Sequence, residues 1–235
     1  MSIKERVALV NWANIREDMN EKGYSCIPKI ITAEECNQLI GQYGDGTLYR
    51  KTINMERYRF GAGEYKYYRY PLPKIVQDLR ENVYPGLAPI ANNWMRVLNI
   101  DNYYPETLNQ LLELCHAAGQ VRPTPLILKY GKGGYNTLHQ DLYGEIYFPM
   151  QAVLFLNGAD EDYSGGEFVL IEQRPRAQSK AIVLKPAKGD MLLFTTNFRP
   201  VKGSKGYYRV NMKHGVSELT AGQRHTLGII FHDAA

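Results

Sequence analysis

The pattern of hydrophobic and polar positions changes character midway along the chain. In the first half, apolar residues recur at helical spacing, whereas after Pro123 they form about eight short β-prone runs separated by Gly, Pro, Asn, Asp and Ser. No helical pattern intervenes between these runs, which predicts an antiparallel sandwich or jelly roll. The runs are, in chain order, LILKY, YNTLH, EIYFPMQAVLFLN, GEFVLI, KAIVLK, DMLLFTT, YYRVNMKH and RHTLGIIFH.

Local start and stop signals predict the helices of the first half. Thr32 followed by Glu35 is a capping-box pattern, and Gly23 is a plausible helix terminator. The helices are predicted from Ile3 to Gly23, from Thr32 to about Tyr43, from Pro73 to a break at Pro85, from there to about Asn99, and from Pro105 to Gly119. The fold class is therefore α+β, with an α-rich region over residues 1–122 packed on a β core over residues 123–235 as one compact unit.

Composition narrows the class of protein further. The chain has 235 residues, of which 44% are hydrophobic and 22% charged, as in ordinary globular proteins with a sizeable core. It contains no apolar run long enough to span a membrane, and its N-terminus lacks the pattern of a secretory signal. Its three cysteines show no metal-binding spacing. We therefore expect a cytoplasmic protein without a membrane partner, and no partner protein is identifiable.

The net charge of +4 is unevenly distributed along the chain. Residues 48–74 carry a balance of +5 and residues 172–213 a balance of +8, so the rest of the chain is acidic. Within residues 50–70, six Lys or Arg residues alternate with six aromatic residues around Gly61 and Gly63, which predicts a hairpin. Aromatic faces beside cations suit single-stranded or damaged nucleic acid. We therefore interpret this segment as a substrate lid, although an amphipathic hairpin packed on the β core would give the same pattern.

The residues with the clearest metal-binding pattern are His139 and Asp141 in YNTLHQDLYG. In a strand, positions i and i+2 point to the same face, so both side chains can reach one ion. His214, at the end of a later β-prone run, is the candidate third ligand. Two histidines and one carboxylate on one side of a metal form a facial triad, which suits Fe(II) because it leaves positions open for a co-substrate and oxygen.

A candidate anion site lies ten residues after His214. Arg224 and Thr226 would share one face of the strand RHTLGIIFH, where a guanidinium fork and a hydroxyl can hold a carboxylate together. The other histidines are predicted to play no part in the chemistry. We expect His116 to be a packed or capping residue, His225 to face away from the metal, and His232 to be a tail residue.

With these residues in place, the sequence resembles the Fe(II)- and 2-oxoglutarate-dependent oxygenases over roughly residues 123–235. The resemblance implies a double-stranded β-helix fold, Fe(II) bound by His139, Asp141 and His214, and 2-oxoglutarate held by Arg224 and Thr226. It also implies molecular oxygen as the second co-substrate, with ascorbate in a supporting role. The expected reaction is hydroxylation of a C–H bond.

A closer resemblance surrounds the HxD motif. The stretch from Tyr130 through LHQD is similar to the corresponding strand of the AlkB-type alkylation-repair oxygenases, which makes Tyr130 a candidate donor to 2-oxoglutarate. Leu128 stands where that family often has Asn. Over most of its length the chain also resembles a bacterial group associated with oxidation of damaged nucleic acid.

Three interpretations of the substrate and activity remain open at this point. The first is oxidative demethylation of alkylated nucleic acid, which the basic and aromatic segments favour. The second is a hydroxylase of the same superfamily that acts on a protein side chain, such as proline, or on a small molecule. The third is a non-catalytic, cupin-like protein in which the same residues bind a structural metal, and it leaves Arg224 without a role.

Overall fold

The computed structural model describes residues 1–142 and 144–235 of the chain. Its α-helices are α1 (Ile3–Ala8), α2 (Trp12–Lys22), α3 (Ala33–Gly41), α4 (Lys74–Val97) and α5 (Leu108–Ala117). Its strands are β1 (Tyr24–Ile27), β2 (Tyr49–Asn54), β3 (Gly61–Ala62), β4 (Glu64–Tyr68), β5 (Leu126–Tyr130), β6 (Tyr135–His139), β7 (Met150–Phe155), β8 (Tyr163–Gly165), β9 (Phe168–Gln173), β10 (Lys180–Leu184), β11 (Met191–Thr195), β12 (Phe198–Gly203), β13 (Gly206–Val216), β14 (Leu219–Gly222) and β15 (Arg224–Ile230). The eight β-prone runs each contain a strand.

Side-chain caps fix the ends of the helices. Thr32 and Glu35 form the predicted capping box of α3, each side chain accepting a hydrogen bond from the other residue's backbone N–H. Gly23 ends α2 in the left-handed conformation at a φ of 79°. The single helix predicted between Ile3 and Gly23 is instead two helices. Asn11 separates them because its side chain accepts hydrogen bonds from the backbone N–H groups of the next turn and begins α2.

The break predicted at Pro85 is wrong, because α4 continues through both Pro85 and Pro89. A proline removes one backbone hydrogen bond from a helix, and the lost bond is costly where water cannot replace it. Both prolines lie on the exposed side of α4, while the opposite side is buried in the core. Packing of that buried side therefore holds the helix together across the two prolines. No helix within residues 1–142 and 144–235 is long and apolar enough to cross a membrane.

Two antiparallel sheets form the β core. The larger has seven strands in the order β1-β11-β7-β15-β5-β4-β2. The smaller has six, of which five follow the order β10-β9-β13-β6-β3 and the sixth, β12, pairs with β13. A separate two-stranded sheet is formed by β8 and β14. The predicted α+β class with a jelly-roll core is confirmed. The division at residue 122 stays a prediction, and the sheets extend across it, because β1 to β4 all belong to the two sheets.

Alternation along the central strands separates the helix-facing side of the larger sheet from its inner side. On β15, Leu227 and Ile229 join the main hydrophobic core together with the buried face of α4. The intervening residues Arg224, Thr226 and Gly228 line a cavity between the two sheets. Because side chains alternate along a strand, the apolar residues of β15 pack against the helices, while Arg224 and Thr226 point into the space between the sheets.

A buried ion pair ties α4 to the end of β15. Arg80 Nη2 lies 2.8 Å from Asp233 Oδ1, and both side chains are fully buried. The same guanidinium donates hydrogen bonds to the backbone carbonyls of Ile230 and Phe231. Arg80 therefore satisfies the last carbonyls of the strand that carries Arg224, and it compensates a carboxylate that water cannot reach.

We expect Arg80→Met to destabilise the fold by about 3–5 kcal/mol, because it removes the arginine partner of the buried Asp233 carboxylate. Urea unfolding followed by circular dichroism measures the change. Lys74→Met is the matched control. Lys74 pairs with Asp78 on the surface of the same helix, so its replacement should cost less than about 1 kcal/mol. Equal effects of the two substitutions would contradict the role given to Arg80.

Candidate active site

The two histidines of the predicted triad face each other across neighbouring strands. His139 is the last residue of β6, and in the antiparallel register it pairs with His214 of β13. Asp141 follows two residues later, with its Oδ1 atom 3.6 Å from His139 Nε2 and its Oδ2 atom 3.5 Å from His214 Nε2. One ligand atom from each residue lies within 4.8 Å of the other two. The structure thus brings the three side chains together, and their role in binding iron stays a prediction.

Neighbouring groups hold these ligands in position. His139 Nδ1 donates a hydrogen bond to the carbonyl oxygen of Thr137 at 2.7 Å, which leaves the lone pair of Nε2 facing Asp141. Gln151 Nε2 donates to Asp141 Oδ2 at 2.9 Å. Between the two ligands, the Gln140 side chain turns the other way and donates to the backbone carbonyl of Met212 at 2.8 Å. Rotation of His139 and Asp141 is therefore restricted before any ion binds.

The protonation states match those that a metal requires. Burial raises the pKa of the Asp141 carboxyl, but the hydrogen bond and charge of His214, helped by His139 and Gln151, outweigh it and bring the pKa down to about 2. Burial and the neighbouring His214 ring lower the pKa of His139. At neutral pH the site therefore offers one carboxylate and a neutral His139 imidazole, and a divalent cation needs deprotonated ligands of this kind.

Arg224 is a buried cation that forms no ion pair with any of the described residues. Its side chain is 1% exposed, and among the described residues none accepts a hydrogen bond from Nε, Nη1 or Nη2. The guanidinium carbon lies 5.3 Å from the Phe155 ring centroid and 5.6 Å from that of Tyr130. Aromatic faces compensate such a charge only partly, and leaving it unpaired is costly. The carboxylate of a bound ligand would neutralise this charge and accept hydrogen bonds from the guanidinium.

The other predicted co-substrate residues lie beside Arg224. Tyr130 pairs with Arg224 in the register of β5 and β15, and Thr226 is two residues farther along the same face of β15. Burial raises the pKa of the Tyr130 hydroxyl to about 12, against the charge of Arg224, so the hydroxyl remains a donor. A single cavity of about 450 Å³ is lined by Tyr130 and Thr226 together with Arg224 and the three triad residues. The residues present thus fit a divalent metal and a dicarboxylic acid in a single space.

Aromatic residues of the basic hairpin line the same cavity. β2 and β4 form the predicted hairpin, and Tyr65, Tyr67 and Phe60 contribute to the cavity wall. Phe60 is also 44% exposed and stacks on Tyr58, with 5.5 Å between the ring centroids. The cavity therefore reaches the surface beside an exposed pair of aromatic rings. Tyr68, by contrast, is buried in the core, as the packed-hairpin alternative expects.

The remaining histidines lie outside the cavity wall. His225 faces the other way, as expected, and its ring contacts Asn157 and Tyr43. His116 is on α5, with Nε2 3.0 Å from Asp233 Oδ2. The interpretation of His232 as a tail residue is wrong. Its ring is buried, and Nδ1 accepts a hydrogen bond from the backbone N–H of Phe148, which anchors the C-terminal segment.

Sequence reasoning missed Gln151, which contacts the Asp141 carboxylate. A signal was present, because Gln151 is a single amide within the apolar run FPMQAVLFL of a buried strand. A buried polar side chain needs a partner, so such a residue points to a polar site on that face of the strand. The sequence does not say that the partner is Asp141, since this depends on how β7 packs against the loop after β6.

Comparison with protein families gives one match over most of the chain. The model of the Oxygenase-NA family, described as an oxygenase catalysing oxidative methylation of damaged DNA, matches residues 63–234. The uncharacterized protein Rv2227 of Mycobacterium tuberculosis strain H37Rv is 42% identical over 197 residues, which cover 84% of this chain and 79% of that protein. The uncharacterized protein MT2286 of strain CDC 1551 matches to the same extent.

Solved structures show the same fold at low sequence identity. An oxidoreductase of the 2OG-Fe(II) oxygenase family from Burkholderia pseudomallei aligns with a TM-score of 0.55 and 14% identity, covering 97% of this chain and 94% of that one. A prolyl-4-hydroxylase from Pseudomonas putida aligns with a TM-score of 0.53 and 13% identity, covering 95% of this chain and 99% of that one. The double-stranded β-helix expected from the sequence is confirmed. At these identities the likeness shows the fold and not the substrate.

We expect His139→Ala and Asp141→Ala each to abolish Fe(II) binding at micromolar metal while the fold stays intact. Each substitution removes one of three ligands, and the second also removes the charge that offsets the dication. Anaerobic titration with Fe(II), with circular dichroism as the control for folding, measures both quantities. Stoichiometric iron retained by the double variant would show that the metal binds elsewhere.

Arg224→Ala is expected to weaken 2-oxoglutarate binding at least tenfold, with metal affinity nearly unchanged. Truncating one partner of a buried charge pair costs about 2–5 kcal/mol, and a tenfold loss of affinity needs only about 1.4 kcal/mol. Calorimetric titration of the metal-loaded protein measures the affinity. Lys129→Ala is the matched control, because Lys129 pairs with His225 on the adjacent strand and so faces away from the cavity. If both variants bind 2-oxoglutarate as the original chain does, Arg224 is not its anchor.

Proposed function

Because the chain belongs to the Oxygenase-NA family and is an enzyme of the Fe(II)- and 2-oxoglutarate-dependent oxygenase superfamily, we propose that it oxidatively demethylates alkylated bases in nucleic acid. We base the choice of substrate on one observation: the cavity opens to the surface beside exposed aromatic rings and exposed arginines. Phe60 lines the cavity and stacks on the exposed Tyr58. Arg57 and Arg59 are exposed beside these rings.

In this proposal, His139, Asp141 and His214 hold the iron, and Arg224 holds the distal carboxylate of 2-oxoglutarate with Thr226 beside it. When bound, Fe(II) and 2-oxoglutarate supply the oxidation of a substrate C–H bond to C–OH by O₂, with 2-oxoglutarate converted to succinate and carbon dioxide. The protein supplies ligation, orientation and the cavity in which the reacting groups meet.

Neighbouring side chains and backbone groups orient the three metal-binding residues toward the bound metal. Gln151 donates to Asp141 Oδ2, so one lone pair of that oxygen is already occupied and the rest of the carboxylate remains available to a metal. The Thr137 carbonyl fixes the tautomer of His139. The Phe168 and Phe194 rings pack against the His214 ring, at centroid distances of 6.0 and 4.8 Å, and shield it from water.

The aromatic wall is suited to a planar base. Tyr65 and Tyr67 contact each other edge to face, with centroids 5.4 Å apart, on the side of the cavity formed by β4. Enzymes that modify a base act on single strands or extrude the base from the stack, and they hold it against aromatic side chains. Hydroxylation of a methyl carbon attached to nitrogen gives a product that loses formaldehyde, so the net reaction would be demethylation.

Exposed cations of the hairpin segment would contact the phosphate backbone. Arg57 and Arg59 lie on the turn before Phe60, and the exposed Arg69 follows the end of β4, the strand that carries Tyr65 and Tyr67. Binding of nucleic acid releases counter-ions, so that affinity falls with salt in proportion to the number of phosphate contacts. These three arginines supply the charge that such a salt dependence requires.

We expect the affinity for a single-stranded oligodeoxynucleotide with one N-methylated base to fall steeply with salt, and Arg57→Gln/Arg59→Gln/Arg69→Gln to flatten that slope. Each lost phosphate contact should reduce the slope of log K against log salt by about 0.7. Fluorescence anisotropy of the anaerobic, metal-loaded protein measures it. Binding of iron and 2-oxoglutarate by the triple variant should be unchanged.

Arg16→Gln on α2 is the control, because this exposed arginine lies on a helix away from the cavity wall. A salt-independent affinity, or a slope that the triple substitution leaves untouched, would overturn the nucleic-acid proposal. The same enzyme chemistry would then act on a protein side chain or a small molecule.

A further inference from the structure

A two-stranded arm extends from the smaller sheet, formed by β12 and residues 206–211 of β13. Six register pairs join its strands, from Phe198 opposite Asn211 to Gly203 opposite Gly206. Among the described residues, β12 pairs with no strand other than β13, so the arm has an open edge. The rest of β13 lies between β9 and β6 and carries His214. One continuous strand therefore joins the arm to the candidate metal site.

The arm is strongly basic and partly aromatic. Lys202, Lys205 and Arg209 are exposed, and residues 191–217 contain no Asp or Glu. Tyr207 and Tyr208 are 46% and 36% exposed. The buried Arg199 at the base of the arm is different, because it is neutralised by Glu172, with 2.5 Å between Nη2 and Oε2. Among the described residues, none of these exposed cations has an acidic partner, and the Arg209 guanidinium carbon lies 5.1 Å from the Phe198 ring centroid. Tyrosines beside such cations are typical of surfaces that bind single strands.

The arm leaves the cavity at the end opposite Arg224. Gly166 lies at the Arg224 end of the cavity, because the position that a Cβ would take on this glycine is 3.2 Å from Arg224 Cδ. Two residues later the chain enters β9 at Phe168, which lies opposite Val216 of β13. Along β13 the order is thus Val216 near Arg224, then His214, then the arm. A substrate that enters past the metal, away from the 2-oxoglutarate end, would therefore meet the arm.

The length of the arm sets how far it reaches. A strand rises about 3.3 Å per residue, so the five residues from His214 to Arg209 span about 17 Å and the eight to Gly206 about 26 Å. Stacked nucleotides repeat every 3.4 Å or so along a strand. The cations of the arm would thus lie about five to eight nucleotides from a base at the metal.

We propose that the arm binds the phosphate backbone of the nucleic acid on one side of the base that occupies the cavity. This proposal rests on the proposed function, since it names a second contact surface for the same substrate. The competing structural explanation is that Lys202 protects the open edge of β12 from pairing with another sheet, a common use of lysine. The two explanations predict different effects of oligonucleotide length.

The test compares two single-stranded oligodeoxynucleotides that carry the same central N-methylated base, one of 4 and one of 20 nucleotides. Anisotropy titrations of the anaerobic, metal-loaded protein give their affinities across a range of salt. For Lys202→Gln/Lys205→Gln, we expect the slope of log K against log salt for the 20-mer to fall by about 1.4, as for two lost phosphate contacts. The 4-mer should bind unchanged, because it cannot reach the arm.

The double variant Lys4→Gln/Lys132→Gln is the matched control, because it loses the same charge at exposed positions away from the arm. Lys4 is on α1, and Lys132 is on the turn after β5, at the Arg224 end of the cavity. The control variant should bind both oligonucleotides like the original chain. If the arm variant binds the 20-mer normally, or becomes prone to self-association without a change in its affinity for the 20-mer, the arm proposal is overturned and the proposed function stands. If the original chain binds neither oligonucleotide, the proposed function itself fails.

Discussion

Antiparallel pairing of β6 with β13 is the constraint on which the candidate site depends. It sets His139 opposite His214 on the inner face of the smaller sheet. Because side chains alternate along a strand, a slip of one residue would turn one of the two histidines to the outer face and dismantle the triad. Gln140 ties the HxD segment to the carbonyl of Met212 on β13, which fixes this register at the point where Asp141 leaves the strand.

A second constraint is electrostatic. The cavity holds a carboxylate that lies between two histidines and, on the larger sheet, a buried guanidinium without a hydrogen-bond acceptor among the described residues. Burying either charge alone would be costly. The carboxylate has the charge that suits a metal cation, and the guanidinium has the charge that suits the carboxylate of 2-oxoglutarate. The fold thus keeps Asp141, in the loop after β6 of the smaller sheet, apart from Arg224 on the larger sheet, rather than letting them neutralise each other. This separation is what leaves room for a metal and a dicarboxylic acid side by side.

Much of the site follows from short-range rules that the sequence displays. Alternation in a strand predicts that Arg224 and Thr226 share a face, and this pair needs no knowledge of the tertiary structure. The same rule brings His139 and Asp141 together from the sequence, but β6 ends at His139 and Asp141 reaches the site from the loop that follows. The contact of Gln151 with Asp141 and the burial of His232 depend on packing between distant segments, which no local pattern encodes. The continuity of α4 through Pro85 has the same origin, because the buried face of the helix outweighs a local helix-breaking signal.

The central claim is that this oxygenase acts on methylated nucleic acid, and substrate-stimulated succinate release tests it most directly. The Fe(II)-loaded protein is supplied with 2-oxoglutarate and O₂ together with N-methylated oligodeoxynucleotides, proline-containing peptides or small metabolites. The account predicts that only the methylated oligonucleotides raise succinate release above the rate without substrate, with one formaldehyde formed per succinate. Stimulation by a peptide or a metabolite, with none by the oligonucleotides, would contradict it.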